Sequence, residues 1–254
     1  FIVAAERPGD DLGAALTLQL REQRSGLEIS GIGGSAMAEL GVCSDIDISP
    51  LSILGFTEAI KAYPIIMDRV RRAVEIIMEK PHNAVVLIDS WGFMLRVARG
   101  LRKAGFKGKI IKYVAPQVFA MRAGRAKVLA NAVDHLMTIH SFDAPYFEKH
   151  GLPVTHVGNP MFDTDYTSGN AAALRKRLQI SSDAPIVAVL FGSRLSEVQR
   201  LAKPFADAIE RIRKQCTNVQ FVSPLSETIA TDVMAAAAED TRLQEIIFLP
   251  ESDK

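Results

Sequence analysis

Ala84-Val85-Val86-Leu87-Ile88-Asp89 is a continuous apolar run that stops on a carboxylate. A strand with one face in water alternates apolar and polar residues. A run this uniform fits a parallel sheet with helices on both faces. Further β-branched or apolar runs occur at Phe1–Ala5, Leu27–Gly31, Lys109–Val114, His135–Ile139, Val154–His156, Ile186–Leu190, Gln220–Ser223 and Ile246–Leu249. Helical periodicity fills the intervals at Leu12–Glu22, Ser35–Leu40, Phe56–Glu79, Trp91–Ala104, Ala123–Ala132, Pro145–His150, Ala171–Leu178, Glu197–Gln215 and Glu227–Ala238. Strict alternation of the two kinds of segment predicts a doubly wound α/β fold with parallel sheets.

Working outward, the 254 residues suffice for one large α/β domain, or one whole domain and part of another. Hydrophobic residues are 48% and charged residues 23%, which excludes a largely disordered chain. Thirty Lys and Arg against 29 Asp and Glu leave a net charge of +1, so bulk electrostatics gives no case for nucleic acid. No apolar run approaches the roughly 18 residues of a membrane-spanning helix. Cys43 and Cys216 are far apart and outside any CxxC or Cys/His cluster, which argues against a disulfide framework and a zinc site and reads as two buried small hydrophobes. The turn cluster Gly158-Asn159-Pro160 and the polar stretch Asp163–Asn170 mark a boundary, giving a first domain over residues 1–160 and the start of a second over 161–254. Phe1–Ala5 reads as mid-strand, and Ile246–Leu249 as a strand without its following helix, so the chain is expected to be part of a longer protein.

Ligands of open parallel sheets bind beyond the carboxyl ends of the strands, so the loops there carry the candidate chemistry. Glu6-Arg7-Pro8-Gly9-Asp10-Asp11 reads either as carboxylates for the hydroxyls of a sugar-like ligand or as acids on a helix dipole. Gly31-Ile32-Gly33-Gly34-Ser35 either brings backbone close to a ligand or simply turns the chain. Asp89 is placed to act as a general base, and equally to cap the helix from Trp91. Arg122, Arg125 and Lys127 form either an anion site or a solvated basic face. Phe191-Gly192-Ser193-Arg194 is the best anion site in the chain, since Gly-Ser frees backbone N–H groups and Arg194 can fork two phosphate oxygens. It lacks the lysine of a P-loop, which disfavours ATPase or GTPase chemistry. Residues 51–79 join apolar side chains to Arg69, Arg71 and Arg72, as an interfacial membrane contact, an acyl groove or a core helix with a basic rim would. The histidines at 82, 135, 140, 150 and 156 show no HxxxH or HxxE metal spacing, and no Gly-x-Ser-x-Gly elbow occurs. His156 and Asn159 flank the boundary turn.

In chain order these pieces resemble the lipid-A-disaccharide synthase family of inverting glycosyltransferases with the GT-B architecture. The resemblance rests on Ala5-Glu6-x-x-Gly9-Asp10-x-Leu12-Gly13-Ala14, Gly31-Ile32-Gly33-Gly34-x-x-Met37, Leu54-Gly55-Phe56-x-Glu58, Ile88-Asp89, Tyr113-Val114-x-Pro116-x-Val118-x-Ala120-x-Arg122-x-Gly124-Arg125, Phe147-Glu148-Lys149-His150-Gly151-x-Pro153-Val154, Val157-Gly158-x-Pro160 and Gly192-Ser193-Arg194-x-x-Glu197-Val198. It implies a Rossmann-like acceptor-side domain followed by the beginning of a UDP-sugar-binding Rossmann-like domain. It implies transfer of 2,3-diacylglucosamine from its UDP carrier to 2,3-diacylglucosamine 1-phosphate, without metal or other cofactor. Asp89 matches the family's candidate base and Arg194 would stabilise the leaving diphosphate. Glu6, Gly9, Asp10, Gly33, Arg122, Arg125, Asn159, Gly192, Ser193 and Glu197 would bind substrate. The cytoplasmic face of the Gram-negative inner membrane is the implied location, and a homodimer the implied assembly. The sequence departs from the family after Asp89, where Ser90-Trp91-Gly92-Phe93-Met94 replaces Ala-Pro-Asp-Phe-Asn, and Asn159 replaces a histidine. The family's Ser-Gly-Thr-Ala-x-x-Glu segment has no counterpart before Lys254. Another UDP-sugar enzyme of this architecture, such as a UDP-N-acetylglucosamine 2-epimerase, and a non-catalytic lipid- or sugar-binding remnant are the alternatives.

Overall fold

The apolar runs form strands wherever a neighbour completes their backbone hydrogen bonds. The structure, a computed structural model, describes residues 1–46, 63–120, 122–163, 165, 167–192, 195–225 and 229–250. Two compact units result, Phe1–Asp165 and Tyr166–Lys254.

In the first unit six strands make one parallel sheet in the order β2-β1-β3-β4-β5-β6. They are β1 (Ile2–Ala4), β2 (Gly31–Ile32), β3 (Ala84–Ile88), β4 (Lys109–Tyr113), β5 (His135–Thr138) and β6 (Val154–His156). The helices are α1 (Arg7–Gln23), α2 (Ser35–Glu39), α3 (Tyr63–Glu79), α4 (Trp91–Lys103), α5 (Gly124–Ala130) and α6 (Ala144–Glu148). The period of two sorts strand residues between the faces. Val3, Val85, Leu87, Ile110 and Leu136 pack with Ala73, Ile77, Met94, Val97 and Leu101 of α3 and α4. Ile2, Ala4, Ile88 and Tyr113 pack on the other side with Met37, Val42 and residues of α1. Each fully buried Leu, Ile or Met contributes about 1.5–3 kcal/mol through removal of apolar surface from water.

The second unit has the parallel sheet β7-β8-β9, formed by Ile186–Ala188, Gln220–Pro224 and Ile246–Leu249. Its helices are α7 (Ala171–Leu178), α8 (Leu195–Gln215) and α9 (Ala230–Glu239). Asn170 caps α7, its side-chain oxygen accepting from the Ala173 N–H at 2.9 Å.

Three expectations are corrected. The helix expected from Leu12 begins at Arg7, because Pro8 fits the first helical turn and costs no hydrogen bond there. The strand expected over Leu27–Gly31 is only Gly31–Ile32, since pairing with β1 begins where the Ser30 carbonyl accepts from the Ile2 N–H at 2.9 Å. Cys43 is exposed rather than buried, because Val42 is the residue turned into the core beneath α2.

Candidate functional site at the carboxyl edge of the first sheet

Strand order reverses direction between β1 and β3, so their carboxyl ends form the topological switch point where open α/β sheets take ligands. Glu6 ends β1 and Asp89 ends β3, so the crevice is bounded by two acids. Asp89 is half-buried with φ 50°, and Ser90 follows with φ 34°. Its N–H donates to the Tyr113 carbonyl at 3.0 Å, which continues the sheet bonding by one residue beyond β3. Val114, at the end of β4, also has positive φ, 70°, a conformation that costs a β-branched residue energy. Strain thus collects where the two central strands leave the sheet, and it turns Asp89 off the strand path at the crevice.

The glycine loop after β2 is organised from within. Asp10 is 1% exposed, and its carboxylate accepts from the N–H groups of Gly34 (2.7 Å), Ala36 (2.8 Å) and Met37 (3.2 Å). A Cβ on Gly33 would lie 2.5 Å from Met37 Sδ and 2.9 Å from Asp10 Oδ1, so only glycine fits. This corrects the expectation that Asp10 meets ligand hydroxyls: α1 starts early, carries Asp10 into its first turn, and commits both oxygens to the start of α2. Gly9 is buried in the same turn, where a Cβ would meet Ala4 and Ile88 at ordinary contact distance, 3.7 Å. Gly9, Asp10 and Gly33 therefore shape the crevice floor, and Glu6 is the member of the set that lies half-exposed at its edge.

The basic segment approaches Asp89 from the next strand. The Arg125 guanidinium lies over the Trp91 ring at 5.1 Å, which places it beside the Asp89 turn. Burial, and then the charge of Arg122, lower its pKa from the ordinary arginine value. Arg122 is exposed, with φ 59°.

Sequence reasoning missed Lys112. It is 2% exposed in mid-strand, between Leu87 of β3 and Leu136 of β5 in the sheet register. Its Nζ donates to the Tyr113 carbonyl at 2.7 Å, the oxygen that also accepts the Asp89 N–H. Burial pushes the ammonium down from 10.5 to about 7, against the pull of the Asp89 carboxylate. An unfolded chain holds this proton up to 10.5, so between pH 7 and 10.5 the unfolded state binds more protons and stability rises with pH. Lys112→Met is expected to remove that slope of about 1.4 kcal/mol per pH unit, and to stabilise the fold at pH 7 by about 1–4 kcal/mol. Urea unfolding of both proteins at pH 7 and pH 9 checks this; parallel stability curves would mean that Lys112 keeps its proton outside this window.

His140 and Asp143 were missed as well. His140 Nδ1 lies 3.5 Å from Asp143 Oδ2, and the Asp143 side chain is 3% exposed. The available signal was the spacing His140-x-x-Asp143 directly after a strand.

In the second unit, Gly192 has φ 90°, and a Cβ there would run into the Glu197 carboxylate, so this turn requires glycine. Glu197 lies in the first turn of α8. Ser193 and Arg194, expected to meet the diphosphate, lie outside the described residues, as do residues 51–62 of the segment read over 51–79. The remainder of that segment exposes Tyr63 at 50% and Ile65 at 48%, while Arg71 pairs with Asp68 and Glu75. Asn159 accepts from the Met161 N–H at 3.1 Å and so caps the short 3-10 helix Pro160–Asp163. Among the described residues no cluster of three or more His, Cys, Asp or Glu is placed to hold a metal, and no helix is long and apolar enough to cross a membrane.

Two parallel sheets covered by helices, with chemistry gathered at strand ends, define a GT-B-type α/β protein. The S. aureus MnaA–UDP structure shares this fold at a TM-score of 0.68 and 12% identity, covering 99% of this chain and 68% of that one. UDP-GlcNAc 2-epimerase from Neisseria meningitidis does so at 0.65 and 10%, covering 98% of this chain and 71% of that one. Sequence narrows the class: the chain belongs to the lipid-A-disaccharide synthase family, whose model, Lipid-A-disaccharide synthetase, matches residues 1–252. The lipid-A-disaccharide synthase of Rhodospirillum centenum is 36% identical over 255 residues, covering 100% of this chain and 63% of that protein. The one from Paramagnetospirillum magneticum is 37% identical over 237 residues, covering 93% of this chain and 61% of that protein. The chain thus spans a little over three fifths of the length of these relatives.

Proposed function

We propose that this chain carries the acceptor side, and the beginning of the donor side, of a lipid-A-disaccharide synthase. In the reaction, 2,3-diacylglucosamine passes from UDP to the 6-hydroxyl of 2,3-diacylglucosamine 1-phosphate, with inversion to a β-1,6 linkage. The observation that carries the reading is Asp89, turned out of a strained strand end at the switch point in a member of this family. Asp89 takes the proton of the acceptor hydroxyl as its oxygen attacks the anomeric carbon. Glu6, across the crevice, accepts hydrogen bonds from acceptor hydroxyls. Gly192, with Ser193 and Arg194 assigned from sequence, meets the diphosphate as negative charge builds on departing UDP. The domains divide at the turn near residues 158–170. The exposed apolar start of α3 rests on the cytoplasmic face of the inner membrane, where both lipid substrates reside. A symmetric homodimer is the assembly proposed.

The test is UDP release from UDP-2,3-diacylglucosamine plus acceptor, with this chain run beside a version extended to the length of its relatives. Release that requires acceptor, in either protein, is the expected result. Turnover of UDP-N-acetylglucosamine, which carries no long acyl chain, in preference would favour an epimerase-like enzyme. Absence of release from both proteins would overturn the proposal.

A further inference from the structure

The carboxyl edge of the first sheet carries different groups along its length. Acids follow β1 and β3, in Glu6 and Asp89; arginines follow β4, in Arg122 and Arg125; and the imidazoles of His140 and His156 lie after β5 and in β6, with the acid Asp143 beside His140. Among these groups His140 is held on two sides. Its ring stacks on Phe142 at 5.1 Å and 14°, and Phe119 meets Phe142 edge-on at 5.1 Å. Its Nδ1 faces the buried Asp143 carboxylate, while the side chain as a whole is 40% exposed. Asp143 Oδ1 is buried without a hydrogen-bond partner. A buried carboxylate beside Nδ1 orients the ring and leaves Nε2 to face outward, as carboxylate–imidazole pairs do elsewhere. The charged groups acting on Asp143 are His140 and, from β6, His156.

We propose that His140, held by Asp143 and Phe142, is the contact for the phosphate of a sugar 1-phosphate whose hydroxyl end lies at Asp89. The ends of β3 and β5 are two strand spacings apart, about 10 Å. That separation is comparable with the span of a hexosamine from its 6-hydroxyl to a phosphate on C1. The exposed faces of Phe142 (51%) and Phe119 (44%) supply apolar ring surface beside it. This placement then fixes the orientation of the acceptor, with the phosphate at His140 and the attacking hydroxyl at Asp89. This inference rests on the proposed synthase reading and adds the residue that reads the acceptor's phosphate.

The experiment measures binding of glucosamine 1-phosphate, glucosamine and inorganic phosphate to the wild-type chain and its variants at one fixed pH. His140→Gln is expected to weaken binding of glucosamine 1-phosphate about tenfold, the worth of one charge-assisted hydrogen bond, and Asp143→Asn to weaken it by a smaller factor. Glucosamine is expected to bind equally to wild type and His140→Gln, and inorganic phosphate to bind more weakly than the sugar phosphate. Wild-type affinity in His140→Gln, absence of sugar phosphate binding to the wild type, or the tenfold loss appearing in His156→Gln instead would each overturn the proposal. Equal affinity for inorganic phosphate would overturn its sugar component. The synthase reading fails separately, through absence of UDP release from the extended protein.

Discussion

In a chain extended to the length of its relatives, Asp89→Asn is expected to lower turnover by about 10²–10⁴-fold, the range that general-base removal produces. The substitution isolates the chemistry. Asparagine tolerates left-handed φ better than most residues, so the turn at φ 50° can be kept. The backbone N–H remains to donate to the Tyr113 carbonyl. On the proposed mechanism, what disappears is the ability to hold the acceptor's proton. The proposed contacts to the acceptor's ring and phosphate are untouched, so acceptor affinity should change far less than turnover. Near-wild-type turnover in Asp89→Asn would move the base elsewhere along the crevice, with Glu6 the next candidate.

Asp10→Ala is expected to destabilise the first unit by about 3–5 kcal/mol, read as a lower urea midpoint. The carboxylate satisfies three backbone donors at the start of α2, one of them fully buried at Met37. Each buried donor left without an acceptor costs about 1–3 kcal/mol. The vacated volume between Gly33, Gly34 and Met37 adds a packing loss. Asp10→Asn retains one acceptor oxygen and should lose roughly half as much. A loss below about 1 kcal/mol in Asp10→Ala would show that water replaces the carboxylate.

The division between what was legible in the sequence and what was not follows the range of the interactions. β3 and β9 lie on their apolar runs, because burial on a parallel sheet leaves a local signature. The position of Asp89 was legible for the same reason: a carboxylate that stops such a run stands at a strand's carboxyl end. The start of α1 was misplaced because Pro8 and Gly9 look like a loop, whereas proline suits the first turn of a helix. The role of Asp10 was hidden because its partners are 24 to 27 residues away. Lys112 was hidden because a lysine in a strand reads as solvent-facing. Only the register that puts Leu87 and Leu136 on either side shows it to be interior. His140 and Asp143 are three residues apart and meet in a local turn, closed where the Asp143 N–H donates to the His140 carbonyl at 3.4 Å, but the spacing alone does not show that the carboxylate is buried.

The carboxylate of Asp10 joins two stretches of sequence that cannot change independently. Residues 6–13 supply the anion and residues 31–37 supply the glycine space and the N–H groups that enclose it. A chimera that took either stretch alone from a relative with a different solution would inherit a charge without its cradle, or a cradle without its charge. Exchange between such proteins should therefore succeed only when both stretches travel together, as a single inherited module running through residue 37.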